Sequence, residues 1–284
     1  MEPTSFSLAV IGLGAIGGSL AWQARLAGVA RVVGYSPERA DGIQALKADA
    51  VTELADQPAR AIRGADLVVL ATPPHVTLQL IGTLAPILER GSVLTDVCSV
   101  KGSIVARARE AGIADRFAGA HPLAGTHESG FPAARPDRLR GCVVYICETG
   151  GTAGAAAAQR VSGFWERVMG AVPVFIDADA HDRQLAWTSH LPQAVASTLA
   201  NVLADRGLAG VSFGTGAKDT TRLAASNPEM WVDVLLQNGP AVTEALVATE
   251  QRLHLLRDLI GRGDADGLRA FLAAARHFRQ GIDR

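Results

Sequence analysis

Residues 7–20 read Ser-Leu-Ala-Val-Ile-Gly-Leu-Gly-Ala-Ile-Gly-Gly-Ser-Leu. A short β-branched run, Ser7–Ile11, meets Gly12-Leu13-Gly14-Ala15-Ile16-Gly17 and passes straight into a helical pattern. This is the G-x-G-x-x-G turn in the one context that gives it meaning, between a strand and a helix. Gly12 permits the tight turn, Gly14 lets the backbone approach a pyrophosphate, and Gly17 lets helix and strand pack closely. The amides at the helix start, around Ala15 and Ile16, then face the phosphates. The stretch predicts a dinucleotide-binding βαβ unit at the N-terminus.

Outward from it, the same texture repeats. Arg31–Tyr35, Leu67–Ala71, Val93–Val97 and Phe117–Ala120 read as strands. Ala15–Ala27, Glu38–Ala48, His75–Leu88 and Lys101–Ala111 lie between them and are long enough for helices. Val143–Cys147 and Val172–Ile176 read as two more strands, joined by a helix over Thr152–Met169. Such alternation predicts parallel βαβ units in a doubly wound, Rossmann-type α/β sheet. After about Asp177 strand-like runs cease. His181–Ala204 is helical, Asn227-Pro228 starts a helix as N-cap and first-turn proline, and helical texture runs from Ala241 to Arg279 with a break at Gly261–Gly263. We therefore place a boundary near residue 178, with a dinucleotide-binding domain over 1–178 and an all-helical domain over 179–284.

Composition bounds the function. A chain of 284 residues suits two domains. With Lys+Arg 27 against Asp+Glu 28, no basic excess points to nucleic acid. No apolar run is long enough for a membrane span, and no basic stretch precedes the first apolar run as in a signal peptide. A cytoplasmic protein is expected. Cys98, Cys142 and Cys147 contain no C-x-x-C, and Cys142 and Cys147 fall on opposite faces of one strand; buried thiols are expected, with no metal site.

The cofactor is read at the end of the second strand. An NAD site places a carboxylate there for the ribose hydroxyls, whereas this chain has Ser36, followed by Pro37, Glu38 and Arg39. Serine can hydrogen-bond a 2′-phosphate and Arg39 can add a charge-assisted contact, which favours NADP. NAD stays possible if Glu38 serves the ribose instead. Thr72 and Pro73 follow the strand Leu67–Leu70 and would line the same crevice.

Four segments carry candidate chemistry. Ser99 and Lys101 sit at a strand-to-helix turn, and His121 follows the next strand, where ligands bind in open α/β sheets. His121 is thus a candidate general base, or simply a loop-bonding histidine. His190 lies two residues before Pro192 inside a helix, where a kink is expected and a core role is the plainer reading. Gly214–Arg222 reads as a glycine-rich loop ending in cations, with Lys218 and Arg222 suited to a carboxylate.

GLGAIGGSLA (12–21), TDVCSVKG (95–102), GAHPLAGTHESG (119–130), AWTSHLP (186–192), KDTTRLA (218–224) and NPEMW (227–231), in that order, resemble the prephenate/arogenate dehydrogenase family of tyrosine biosynthesis. The resemblance covers most of the chain and looks like the monofunctional form. It implies NAD(P)-dependent oxidative decarboxylation of a cyclohexadienol, with His121 as base and Ser99 bonding the reacting hydroxyl. It also implies substrate contacts from Thr126, His190, Lys218 and Arg222, and a homodimer formed through the helical domain. Many members carry an acidic residue just after HPxAGT, where this chain has His127, so the choice between prephenate and arogenate is left open. Two other readings share the glycine turn. A β-hydroxyacid dehydrogenase or imine reductase of the same plan often uses a lysine in the interdomain helix, and 181–204 contains none. A non-catalytic NADP-binding sensor would keep the glycine turn without Ser99, His121 and Arg222.

Overall fold

The computed structural model describes residues 6–125, 128–208 and 211–282. The chain forms two compact units, Met1–Asn238 and Gly239–Arg284.

The first unit is built on an eight-stranded sheet. Its strands are β1 (Ser7–Ile11), β2 (Arg31–Tyr35), β3 (Glu53–Leu54), β4 (Leu67–Leu70), β5 (Val93–Asp96), β6 (Phe117–Pro122), β7 (Val143–Glu148) and β8 (Val172–Phe175), in the order β3-β2-β1-β4-β5-β6-β7-β8. Helices α1 (Ala15–Leu26), α2 (Arg39–Lys47), α3 (Pro58–Ala61), α4 (Pro74–Leu84), α5 (Gly102–Glu110) and α6 (Gly151–Arg167) link the strands. Alternate residues of β1 enter opposite cores: Leu8 and Val10 on one face, Ala9 and Ile11 on the other. The period of two thus sorts one strand between two helical layers. Cys147 and Cys142 follow the same rule, packing on opposite faces as free thiols.

The order reverses between β1 and β4, because β1 pairs with β2 on one side and β4 on the other. That is the switch point at which doubly wound sheets open a crevice. The strand ends next to it are level, since Ile11 pairs with both Tyr35 and Leu70.

The sheet departs from the parallel expectation at one place: β7 runs antiparallel to β6. The link from Pro122 to Val143 holds only a single 3-10 turn, Phe131–Ala133, among its described residues. Without a crossover helix the chain re-enters from the end it left, which makes the pair antiparallel. Helix α6 then restores a parallel crossover to β8.

Beyond β8 the first unit is helical. Helix α7 (Ala178–Leu185) is capped by Asp177, whose side chain accepts from the amides of Asp179 and Ala180 at 3.0 and 3.1 Å. It passes through a π-helical turn, Ala186–His190, into α8 (Leu191–Asp205). Pro192 sits in the first turn of α8, where its missing N–H is tolerated, and the π turn absorbs the mismatch. The segment expected to be a loop, Gly214–Arg222, is instead α9 (Thr215–Thr221). Within it, Thr220 and Thr221 return their hydroxyls to carbonyls one turn back, at 2.6 and 2.7 Å. Helix α10 (Pro228–Gln237) begins as its sequence indicates, with Asn227 capping Glu229 N at 3.0 Å.

The second unit consists of α11 (Gly239–Gly261) and α12 (Ala265–Ile282). Asp264 accepts from Gly267 N at 2.8 Å and starts α12. No residue of α12 is buried, and Leu272, Phe278 and Ile282 are exposed. No described helix is long and apolar enough to cross a membrane.

Candidate active site

The glycine turn has the geometry its spacing demands. Gly12 adopts φ +99°, and a Cβ there would lie 2.2 Å from the carbonyl oxygen of Ala71. A Cβ on Gly17 would lie 1.9 Å from the carbonyl oxygen of Gly12. A Cβ on Gly14 would meet nothing within 4 Å. The first two glycines are therefore required by the protein itself, whereas Gly14 faces open space. Helix α1 starts at Ala15 with no side-chain cap, so its first amides are available to a phosphate. These features fit a dinucleotide held over Gly14, Ala15 and Ile16.

Ser36 follows β2 directly and is half-buried, while Arg39 opens α2 and is exposed. Neither side chain bonds a described residue. Thr72 shares its hydroxyl with that of Thr77 at 2.8 Å, and exposed Pro73 is the N-cap residue of α4.

Because β1, β4, β5 and β6 are adjacent and parallel, Gly12, Thr72, Ser99 and His121 lie in sequence along one sheet edge. Ser99 is half-buried in the turn after β5, and its hydroxyl bonds no described residue.

His121 is nearly buried at 9% exposure and is the start of a polar relay. Its Nδ1 lies 2.8 Å from Nε2 of His181, and Nδ1 of His181 lies 2.8 Å from Oδ1 of Asp182. Asp182 also accepts the amide of Lys101 at 2.8 Å and that of Gly102 at 2.7 Å, at the start of α5. The network assigns every proton. Asp182 can only accept, so His181 donates from Nδ1 and accepts at Nε2. His121 must then donate from Nδ1, which leaves a lone pair on Nε2. That nitrogen has no partner among the described residues and is the acceptor the site offers.

Electrostatics hold this state. Burial, followed by the fields of His181, Lys101 and His190, keeps His121 well below the usual imidazole range. Burial also lowers His181, against the opposing bond to Asp182. For Asp182 burial acts upward, but the bonds from His181, Gly102 and Lys101 outweigh it and the carboxyl is lowered. The result is an ionised Asp182 and two neutral imidazoles at neutral pH.

His190 is fully buried. Its Nδ1 lies 3.1 Å from the Asn238 amide nitrogen, which also donates to the Asp182 carbonyl at 2.7 Å. Nε2 has no partner, and the ring stands edge-on to Trp231 with centroids 6.0 Å apart. Burial, then His181, lowers it to about 4. Helix α10, which carries Trp231, is fastened to the sheet region at two points. Asp233 binds the ring and amide of His75 at the start of α4, and Gln237 Oε1 accepts from Ser103 Oγ at 2.6 Å. Lys218 and Arg222 are exposed on and just after α9, and no hydrogen bond or ion pair joins either to the His121 cluster. Thr126 lies outside the described residues.

His181, Asp182 and Asn238 were not singled out from the sequence. The adjacent His-Asp pair at the head of α7 was the available signal, but its partner is 60 residues away.

Comparison with known proteins shows the family of the chain. Residues 20–174 match the family model for the prephenate dehydrogenase nucleotide-binding domain, and residues 177–274 match that for the prephenate dehydrogenase dimerization domain. The chain is 30% identical to cyclohexadienyl dehydrogenase of Zymomonas mobilis over 268 residues, covering 92% of this chain and 90% of that one. Among solved structures it is similar to prephenate dehydrogenase of Aquifex aeolicus in complex with hydroxyphenyl propionate and NAD+, with TM-score 0.86, 28% identity and 98% of each chain covered. It is also similar to Synechocystis arogenate dehydrogenase, with TM-score 0.80, 27% identity, and 98% of this chain and 100% of that one covered. Family models across both halves of the chain, set on a Rossmann-type sheet with a helical C-terminal part, make this protein an oxidoreductase of the prephenate dehydrogenase family.

Proposed function

We propose that the protein catalyses NAD(P)-dependent oxidative decarboxylation of prephenate, arogenate or both, yielding 4-hydroxyphenylpyruvate or tyrosine. The observation that carries this reading is the His121–His181–Asp182 relay, which leaves Nε2 of His121 as a proton acceptor on the edge that begins with the glycine turn.

The substrate is a cyclohexadienol with a ring carboxylate and a 4-hydroxyl. It loses the C4 hydride and carbon dioxide and becomes aromatic; the hydroxyl proton is drawn off as the hydride leaves and is returned to the phenolate oxygen once the ring is aromatic. When bound, the nicotinamide accepts that hydride. The chain's own part is to take the proton and hold the ring. His121 Nε2 takes the proton, and a neutral imidazole suits the task because it is uncharged until it acts. His181 holds the His121 ring in register by accepting its Nδ1–H, and the ionised Asp182 fixes His181 in the tautomer that accepts it. Ser99 is the hydroxyl donor on the same edge, with its bonding capacity unspent. Thr126, His190, Lys218 and Arg222 are assigned to substrate binding, His190 chiefly by shaping the pocket wall from its buried position.

The two chain segments divide this work: 1–178 holds the cofactor and supplies Ser99, His121 and Thr126, while 179–284 supplies His190, Lys218, Arg222 and the dimer contacts. The unburied apolar face of α12 and the match to a dimerization-domain model support a homodimer. Three free thiols support a cytoplasmic setting.

NADP is the favoured cofactor, because Ser36 supplies no carboxylate and Arg39 is exposed without a partner among the described residues. Ser36→Asp combined with Arg39→Ala is expected to shift kcat/KM toward NAD by about tenfold or more, as a charge-assisted contact is exchanged for a carboxylate on the ribose. Equal preference before and after would remove both residues from cofactor choice. Arg222→Ala is expected to raise KM by roughly tenfold with a smaller change in kcat, because a carboxylate clamp acts throughout the reaction. An unchanged KM would exclude Arg222 as a substrate ligand.

The reading as a whole is tested by initial rates with prephenate or arogenate, each paired with NAD or NADP, followed by absorbance of the reduced nicotinamide. Turnover in one row names the substrate. No turnover in any combination, with cofactor bound, would overturn it.

A further inference from the structure

Lys101 is a fully buried lysine, and its contacts reach both ends of the relay. Its ammonium is paired with Asp96, itself fully buried, and donates to the carbonyl of Ala120 at 2.9 Å. Asp96 accepts the amide of the same Ala120 at 3.3 Å and that of Cys98 at 2.8 Å. The ion pair therefore grips both the carbonyl and the amide of the residue immediately before His121. At the other end, the backbone N–H of Lys101 is one of the two amides that hold Asp182.

Two glycines make room for this arrangement. A Cβ on Gly119 would lie 3.1 Å from Cδ of Lys101, and a Cβ on Gly102 would lie 3.0 Å from Oδ2 of Asp182. An unpaired charge in such a place would be costly, and even a paired one is weak evidence for stability. A hydrophobic pair of equal volume would fill the space at less expense in desolvation. The ion pair therefore calls for a reason beyond packing.

We propose that Lys101 is a positioning residue for the reaction: with Asp96 it fixes the peptide that carries His121, and with its own amide it fixes Asp182, so one residue sets the span across which His121 and His181 meet. The proposal rests on reading His121 as the base. The charged and titratable groups around His121 are His181 and Asp182 on α7, Tyr145 opposite it on β7, His190 in the π turn, and the Lys101–Asp96 pair. Among these, the cationic charge of Lys101 disfavours the imidazolium. Lys101 thus acts on the base in geometry and in charge.

The test is Lys101→Met with Asp96→Asn, which neutralises both charges at nearly constant volume and leaves no lone buried ion. The full chain is assayed for kcat, KM and cofactor Kd across pH. Cofactor Kd is expected to stay within about threefold, because the glycine turn is untouched. We expect kcat to fall by roughly tenfold or more, with the acid limb of its pH profile displaced as the buried ion pair beside the base is removed. A folded double variant with wild-type kcat and an unmoved acid limb overturns the proposal. If the double variant does not fold, Lys101→Arg decides. It keeps the charge but cannot place a single ammonium on both Asp96 and Ala120, so kcat should fall while the acid limb stays; wild-type kcat in that variant overturns the proposal. His121→Asn is measured in parallel. Near-normal kcat there defeats the reading of His121 as base, whereas loss there without change in the Lys101 variants defeats only the present proposal.

Discussion

His121→Asn is expected to lower kcat by about 10²-fold or more while leaving cofactor affinity close to that of the parent enzyme, the scale of losing a general base. The substitution is chosen for what it keeps. The asparagine amide can occupy the place of Nδ1–H and still donate to Nε2 of His181, so the relay to Asp182 need not collapse. What disappears is Nε2, the one acceptor the relay leaves free. Single-turnover rates with bound cofactor separate this from a binding defect. A variant with near-normal kcat would take His121 out of the reaction. The pH profile adds a second reading of the same group. His121 must be neutral to accept a proton, and burial, His181, Lys101 and His190 lower its affinity for one. The acid limb of kcat should therefore lie well below the 6.5 of an ordinary imidazole, with activity persisting through pH 6. An acid limb at an ordinary histidine value would mean that the base is not held as described.

The second large effect is a contrast between two glycines three residues apart. Gly17→Ala would drive a Cβ to 1.9 Å from the carbonyl oxygen of Gly12 and 2.7 Å from Cβ of Ala71. The first obstacle is backbone and cannot rotate away, so α1 must shift off the sheet. Overpacking of this kind costs about 1–3 kcal/mol or more, read as a fall in Tm and loss of cofactor binding together. Gly14→Ala meets nothing within 4 Å, and its φ of −72° suits alanine. The free protein should keep its Tm within a few degrees while cofactor Kd rises by roughly tenfold or more, because the new methyl enters the space a pyrophosphate needs. Thermal melts with and without cofactor distinguish the two. Equal loss of Tm in both variants would mean that Gly14 is needed by the fold and not by the ligand.

The sequence by itself determined the β1–turn–α1 unit, since the positive φ at Gly12 and the close approach of Gly17 to the Gly12 carbonyl lie within about ten residues. A positive φ at Gly12 and a helix–strand contact at Gly17 are local demands that only glycine meets. The same holds for the alternation that predicts the sheet, for the Asn227 cap, and for His121 at the end of β6. Periodicity reports which face of an element is buried, but not which element it meets or in which direction the chain returns. The antiparallel β7, the π turn before Pro192 and the helical α9 follow from connection length and packing, and were not legible for that reason. The relay was hidden by distance. His121 finds its partner 60 residues on, and Asp182 finds its amide donors about 80 residues back. Lys101 stood in a recognisable motif, yet only burial turned it from a charged residue at a helix start into an ammonium that must be paired. A buried polar group must be satisfied by whatever the fold brings within reach, and this is a property of the tertiary structure alone.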